Sequence, residues 1–137
     1  ESSAASDVYK RQAKANGEME ALQKQKENDL KSMQDELQRK ADEYQKGSST
    51  MNATAKQQKE TELQTLQQKI QQAYQDGQQE LQKKSSELMQ PIVAKVRTAI
   101  AAVGKAGNYT FIFEDGAAVY TGTNVVDVTK EVQAKIK

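Results

Sequence analysis

The chain has 137 residues, of which 36% are hydrophobic and 28% charged, with a net charge of +1. A globular domain is usually nearer half apolar, so this composition suits a solvated helical rod better than a ball with a thick core. There is no Cys, His or Trp; this excludes disulfides, Cys/His zinc sites and Cys or His nucleophiles, and the near-zero charge gives no basis for nucleic-acid binding.

Residues 1–12, ESSAASDVYKRQ, belong to no pattern that follows. They read as a non-native leader or sequencing artefact, because the string from Asp7 to Gln12 resembles a translated sequencing adapter, and they are set aside from the functional reading. The natural start, with any signal peptide, is expected upstream. No apolar run approaches the ~20 residues that cross a bilayer.

Residues 13–46 read as one long helix. Met19, Leu22, Leu30, Met33, Leu37 and Tyr44 recur at steps built from threes and fours, with Lys26 and Ala41 or Lys40 filling the gaps. A narrow apolar seam flanked by charge is the pattern of a coiled coil. Acid-first pairs at i,i+4, namely Glu20–Lys24, Glu27–Lys31, Glu36–Lys40 and Asp42–Lys46, support the exposed face. The run 46–50, Lys-Gly-Ser-Ser-Thr, predicts a turn. Thr54 with Gln57 offers a capping box for a second helix that runs to about residue 103, with a start a few residues earlier as the alternative. Its seam is Leu63, Leu66, Ile70, Ala73 or Tyr74, Gly77, Leu81 and Leu88. Two such helices joined by a short turn predict an antiparallel hairpin, thinly packed where Gln and Gly interrupt it.

Pro91 predicts a kink or a fresh helical start near Gln90. Beyond it, Ile92, Val93, Val96, Ala99, Ile100 and Val103 give a wider apolar face. Gly104 and Gly107 are expected to close the helix. Residues 109–113 and 117–121 are rich in strand formers around a Glu114-Asp115-Gly116 turn, which predicts a β-hairpin. Thr129 is placed to cap a last short helix carrying Glu131, Val132 and Ile136.

The fold class is therefore α+β, mainly α: a coiled-coil arm over 13–90, its tip near 46–54, on a small β-containing base over 91–137. A lone two-stranded hairpin is marginal in water and its open edges invite pairing, so an upstream strand, strands of other copies of the chain, or both must complete it. Oligomerisation follows from this reading, through Ile100, Val103, Phe111, Ile112, Phe113, Val119 and Tyr120.

The stretch NYTFIFEDGAAVYTGTNVVDVTKEV, preceded by PIVAKVRTAIAAVG and the long Gln/Lys/Glu hairpin, resembles the Skp/OmpH-like periplasmic chaperones, its Pro91 form being most similar to Bacteroidetes members. That resemblance implies a homotrimer whose strands form a central β-body with helical hairpins around a cavity. It also implies an ATP-independent holdase that keeps unfolded outer-membrane β-barrel proteins from aggregating in the periplasm. Two features depart from the family: the first strand, expected upstream of Ala13, is absent or replaced, and the chain is nearly neutral where well-known members are strongly basic.

Met33, Tyr44, Met51 and Tyr74 are the candidate client contacts, with Met89 beside them, because flexible Met surfaces adapt to varied partners. Packing within the seam is the simpler account of Met33 and Tyr44, whereas Met51 at the tip has little core to join. Lys83 and Lys84, or Lys56 and Lys59, are candidates for contact with anionic lipid or lipopolysaccharide, although a solvated face accounts for them more simply. Carboxylate pairs lie on helix faces and Asp115-Gly116 reads as a turn, so no catalytic residue, metal site or cofactor is assigned. The competing class is a structural coiled-coil adaptor or spacer of the cell envelope, for which a regular, rigid seam is the requirement.

Overall fold

The computed structural model describes residues 3–136. Three α-helices follow in chain order: α1 (Ser3–Gly47), α2 (Ala53–Ala106) and α3 (Thr129–Lys135), with a 3-10 turn at Ser48–Thr50 between the first two. The chain divides into two compact units, one comprising Glu18–Lys84 and one comprising Glu1–Gly17 with Ser85–Lys137.

The Glu18–Lys84 unit is the helical hairpin. Met19, Leu22, Lys26, Leu30, Met33, Leu37, Lys40, Ala41 and Tyr44 of α1 are each half-buried, as are Leu63, Leu66, Ile70, Ala73 and Leu81 of α2. Between two helices only a strip on each can be shielded, so the seam is covered but not enclosed. Gly77 is buried, and the aliphatic stem of Lys26 lies against it, with Lys26 Cγ and Cδ 3.8 Å from where a Gly77 side chain would begin. The two interruptions of the apolar pattern thus face each other: a long stem fills the space a missing side chain leaves.

At the tip, the Ser48 and Thr50 hydroxyls donate to the Gln45 and Gly47 carbonyls at 3.4 and 2.9 Å, taking up acceptors that the end of α1 leaves open. Asn52 then caps α2: its Oδ1 accepts from the Ala55 N–H at 2.8 Å. The capping box expected at Thr54 is therefore not the start of the helix. Asn52 precedes it by two residues and supplies the same side-chain acceptor with less steric demand.

In the second unit the buried apolar residues are Ala15, Ile92, Ala99, Val103 and Ile136. Ile92, Ala99 and Val103 stand seven and four residues apart, one face of α2. The helix passes through Pro91 without interruption, contrary to the expected fresh start. Proline denies the Glu87 carbonyl its partner, but both residues are exposed, so water can serve that oxygen. Gly104 lies inside α2 rather than after it. The end is a Schellman motif: Asn108 takes a left-handed φ of 53°, its N–H donates to the Lys105 carbonyl at 3.4 Å, and the Tyr109 N–H donates to Gly104 at 3.0 Å. Gly107 is required here because the Tyr109 ring occupies the space of a side chain, its Cδ2 only 2.7 Å from the Cβ position.

Among the described residues there is no β-strand, so the expected β-containing base is not seen in the single chain. The Glu114–Ala117 turn is present, closed by the Ala117 N–H donating to Glu114 at 3.1 Å with Gly116 at φ 81°. The segments on either side do not pair. Two isolated strands gain too little from their few hydrogen bonds to offset the entropy of ordering them. Thr129 begins α3 rather than capping it. Val128 is the N-cap residue and makes no side-chain cap hydrogen bond; Asp127, one residue before it, accepts from the Thr129 N–H and hydroxyl at 3.0 and 2.6 Å.

Candidate functional site

Three cross-links join the helices of the hairpin in antiparallel order. Lys84 pairs with Glu18 at 3.7 Å, Lys26 pairs with Glu80, and the Tyr44 hydroxyl donates to Glu60 Oε1 at 2.5 Å. The Glu80 carboxylate holds the Lys26 ammonium above its ordinary range, and the hydrogen bond to Glu60 raises the Tyr44 phenol. Along α1, Lys31–Asp35, Arg39–Glu43 and Lys40–Glu36 form exposed ion pairs. Of the four acid-first pairs expected, Glu36–Lys40 forms at 3.6 Å; Lys31 turns forward to Asp35 instead of back to Glu27. Such exposed pairs are worth little each.

The candidate client residues fall in different settings. Met33 and Tyr44 are half-buried in the seam. Met51 is half-buried too, its Cε folded over Gly47 at 3.3 Å from the Cβ position, so the tip methionine packs on the end of α1. Tyr74 is 56% exposed, and Met89 lies exposed in the other unit. These residues form no single cluster. Of the candidate lipid-contact lysines, Lys84 is engaged with Glu18 and Lys59 with Glu62, at 3.5 Å.

The residues assigned to subunit contacts divide as well. Val103 is buried; Ile100 and Ile112 are half-buried, Ile112 resting near Gly104 with Cδ1 3.5 Å from its Cβ position. Phe111, Phe113, Val119 and Tyr120 are exposed, and so are Val125 and Val126, which sequence reasoning did not single out. The Phe111 and Phe113 rings stack at 5.8 Å between centroids, as alternate residues of an extended chain allow. Together these residues leave an aromatic and β-branched surface uncovered in the single chain. Elsewhere in this unit, Ala94, Lys95, Thr98, Ala102 and Lys135 line one open hollow. No group of three His, Cys, Asp or Glu side chains among the described residues converges as a metal site. Asp127 has its carboxyl lowered by the Thr129 hydroxyl and N–H, a local contact rather than a reactive group.

A half-packed helical hairpin and an uncovered aromatic segment define a mainly helical protein. The family model described as "Outer membrane protein (OmpH-like)" matches residues 2–136, and the chain belongs to that family. Membership suggests a periplasmic chaperone of outer-membrane proteins rather than an enzyme. No curated protein and no solved structure matches the chain, and no helix among the described residues is long and apolar enough to cross a membrane.

Proposed function

We propose that the chain is an ATP-independent holdase of the periplasm. Copies join as a homotrimer through the 109–126 segment, and their helical arms surround an unfolded outer-membrane β-barrel protein and prevent its aggregation. One observation carries this reading: in a chain of the OmpH-like family, the strand-forming residues Phe111, Phe113, Val119 and Tyr120 stand exposed and unpaired. Exposed strand formers without a ladder are completed most directly by strands of further copies. Residues 91–137 then act as base and 13–90 as arm. Client contact is spread over many weak sites, with Met33, Tyr44, Met51 and Tyr74 among them, so that retention comes from number and release needs no fuel. Lys56 and Lys83 are left for contact with anionic lipid or lipopolysaccharide.

The test is light scattering of a urea-denatured β-barrel protein diluted into buffer without nucleotide. The full chain is expected to suppress scattering at a few-fold molar excess, and its mass in solution to be three times that of one chain. Unimpeded aggregation would reject the holdase. The runner-up, a coiled-coil spacer of the envelope, draws on the unbroken 54-residue span of α2; recovery of a folded partner with no effect on unfolded clients would favour it.

A further inference from the structure

The two helices of the hairpin present different chemistry to solvent. On α1 the outer face is zwitterionic, with the ion pairs Lys31–Asp35, Lys40–Glu36 and Arg39–Glu43. On α2, nine of the nineteen residues from Gln64 to Gln82 are glutamine and only Lys69, Asp76 and Glu80 are charged. Gln64, Gln68, Gln71, Gln75, Gln79 and Gln82 follow at steps of three and four, all exposed. They therefore form one stripe opposite the seam, about 27 Å long at 1.5 Å per residue. The three charges all fall on one flank of it: Glu80 is tied to Lys26, and Asp76 accepts from Gln72 at 2.8 Å. On the other flank, one turn from Gln71 and Gln78, stands Tyr74, the one large hydrophobic residue of the Glu18–Lys84 unit that is exposed.

We infer that this charge-free stripe with Tyr74 is the surface by which the arm touches the backbone of an extended, unfolded polypeptide; this rests on the holdase reading above. A primary amide both donates and accepts, so it can pair with the N–H and the C=O of any peptide group, whatever side chain that residue carries. Folded proteins have most of their peptide groups paired internally, so they offer such a surface far fewer partners. An unfolded chain offers peptide groups at every residue. Each exchange of water for peptide gains little, so the contact is weak, repeated and indifferent to sequence. Tyr74 adds a rigid aromatic surface with a polar end, at low entropic cost. Because no charge is used, binding is insensitive to salt, unlike capture by a basic cavity.

The experiment uses the full chain and a fluorophore-labelled, urea-denatured outer-membrane β-barrel protein, with affinity measured at 50 and 500 mM salt. Wild type is expected to bind with less than a twofold change between the two. Gln68, Gln71 and Gln75 all replaced by alanine, with Tyr74→Ala, should weaken binding at least fivefold while circular dichroism shows helicity retained, since alanine favours the helix. A control on α1, with Gln25, Gln34 and Gln45 replaced by alanine, should bind as wild type. Equal loss in the control, no loss in the α2 variant, or a steep salt dependence in wild type would each overturn the inference. Absence of any binding by wild type would instead reject the holdase reading on which it depends.

Discussion

Gly77→Ala is predicted to stabilise the protein, although Gly77 is buried in the seam. Alanine in place of glycine in a helix interior gains about 1 kcal/mol from the smaller loss of backbone freedom. The opposing term is steric, and the geometry sets it near zero. A Cβ at residue 77 would lie 3.8 Å from Lys26 Cγ and Cδ and 3.9 Å from Lys26 Cβ, ordinary contact distances. The methyl group would also cover part of the Lys26 stem without disturbing its ammonium at Glu80. For a chain of this size the gain corresponds to a rise of about 4 °C in midpoint. Gly77→Leu provides the contrast: its branched side chain needs the space that the Lys26 stem fills, so it should break the Lys26–Glu80 pair and fall below Gly77→Ala. Thermal unfolding followed by far-UV circular dichroism at fixed protein concentration measures both. A lower midpoint for Gly77→Ala would refute the reasoning, because it would mean that the helices meet at residue 77 more closely than 3.8 Å.

Gly107→Ala should destabilise the end of α2, because its methyl group meets the Tyr109 ring; urea midpoints of this variant and of Gly17→Ala, which has open space around it, should move in opposite directions. Asn52→Ala removes the acceptor for the Ala55 N–H and should cost about 1 kcal/mol in urea unfolding. Ala99→Leu crowds a site only 1% exposed and should cost about 1–3 kcal/mol by the same measurement. Raising pH should weaken the hairpin: Lys26 and Tyr44 both titrate above their ordinary 10.5 and 10.0 in the folded chain. Their contribution is therefore full below those values and is lost as pH climbs through the raised ones. Urea midpoints should hold between pH 7 and 9 and fall beyond about 10.

The helical seam was legible because a period near 3.6 leaves the same mark in sequence whatever the partner. Met19, Leu22, Leu30, Met33, Leu37 and Tyr44 are all half-buried as their spacing requires. Lys26 and Gly77 were placed in the seams of their own helices; only the antiparallel register reveals that the stem of one lies against the other. The helix starts were legible only to within a residue or two: Asn52, not Thr54, caps α2, and Val128, not Thr129, precedes α3. In both cases several Asn, Asp and Thr side chains compete for the same open N–H groups, and backbone direction decides among them. Pro91 was expected to interrupt the helix because its missing N–H is a local cost; with Pro91 and Glu87 both exposed, water can meet it. The strand propensity of 109–121 is plain in the sequence, but a two-stranded ladder alone is marginal, and among the described residues the segments carrying Phe111 and Tyr120 do not pair. Tyr74 was legible as a candidate, whereas the glutamine stripe beside it was treated as filler. Its meaning depends on which side of the hairpin the charges occupy.

The holdase reading is tested most directly by the state of a client while it is bound. The chain contains no Trp, so tryptophan emission from a β-barrel client reports on the client alone. Mixed with the unfolded barrel in the absence of nucleotide, the protein should keep it in solution with the red-shifted emission of solvated tryptophan, and addition of lipid bilayers should release and fold it. Binding the folded barrel as tightly as the unfolded one, or leaving the unfolded one to aggregate, would contradict the account.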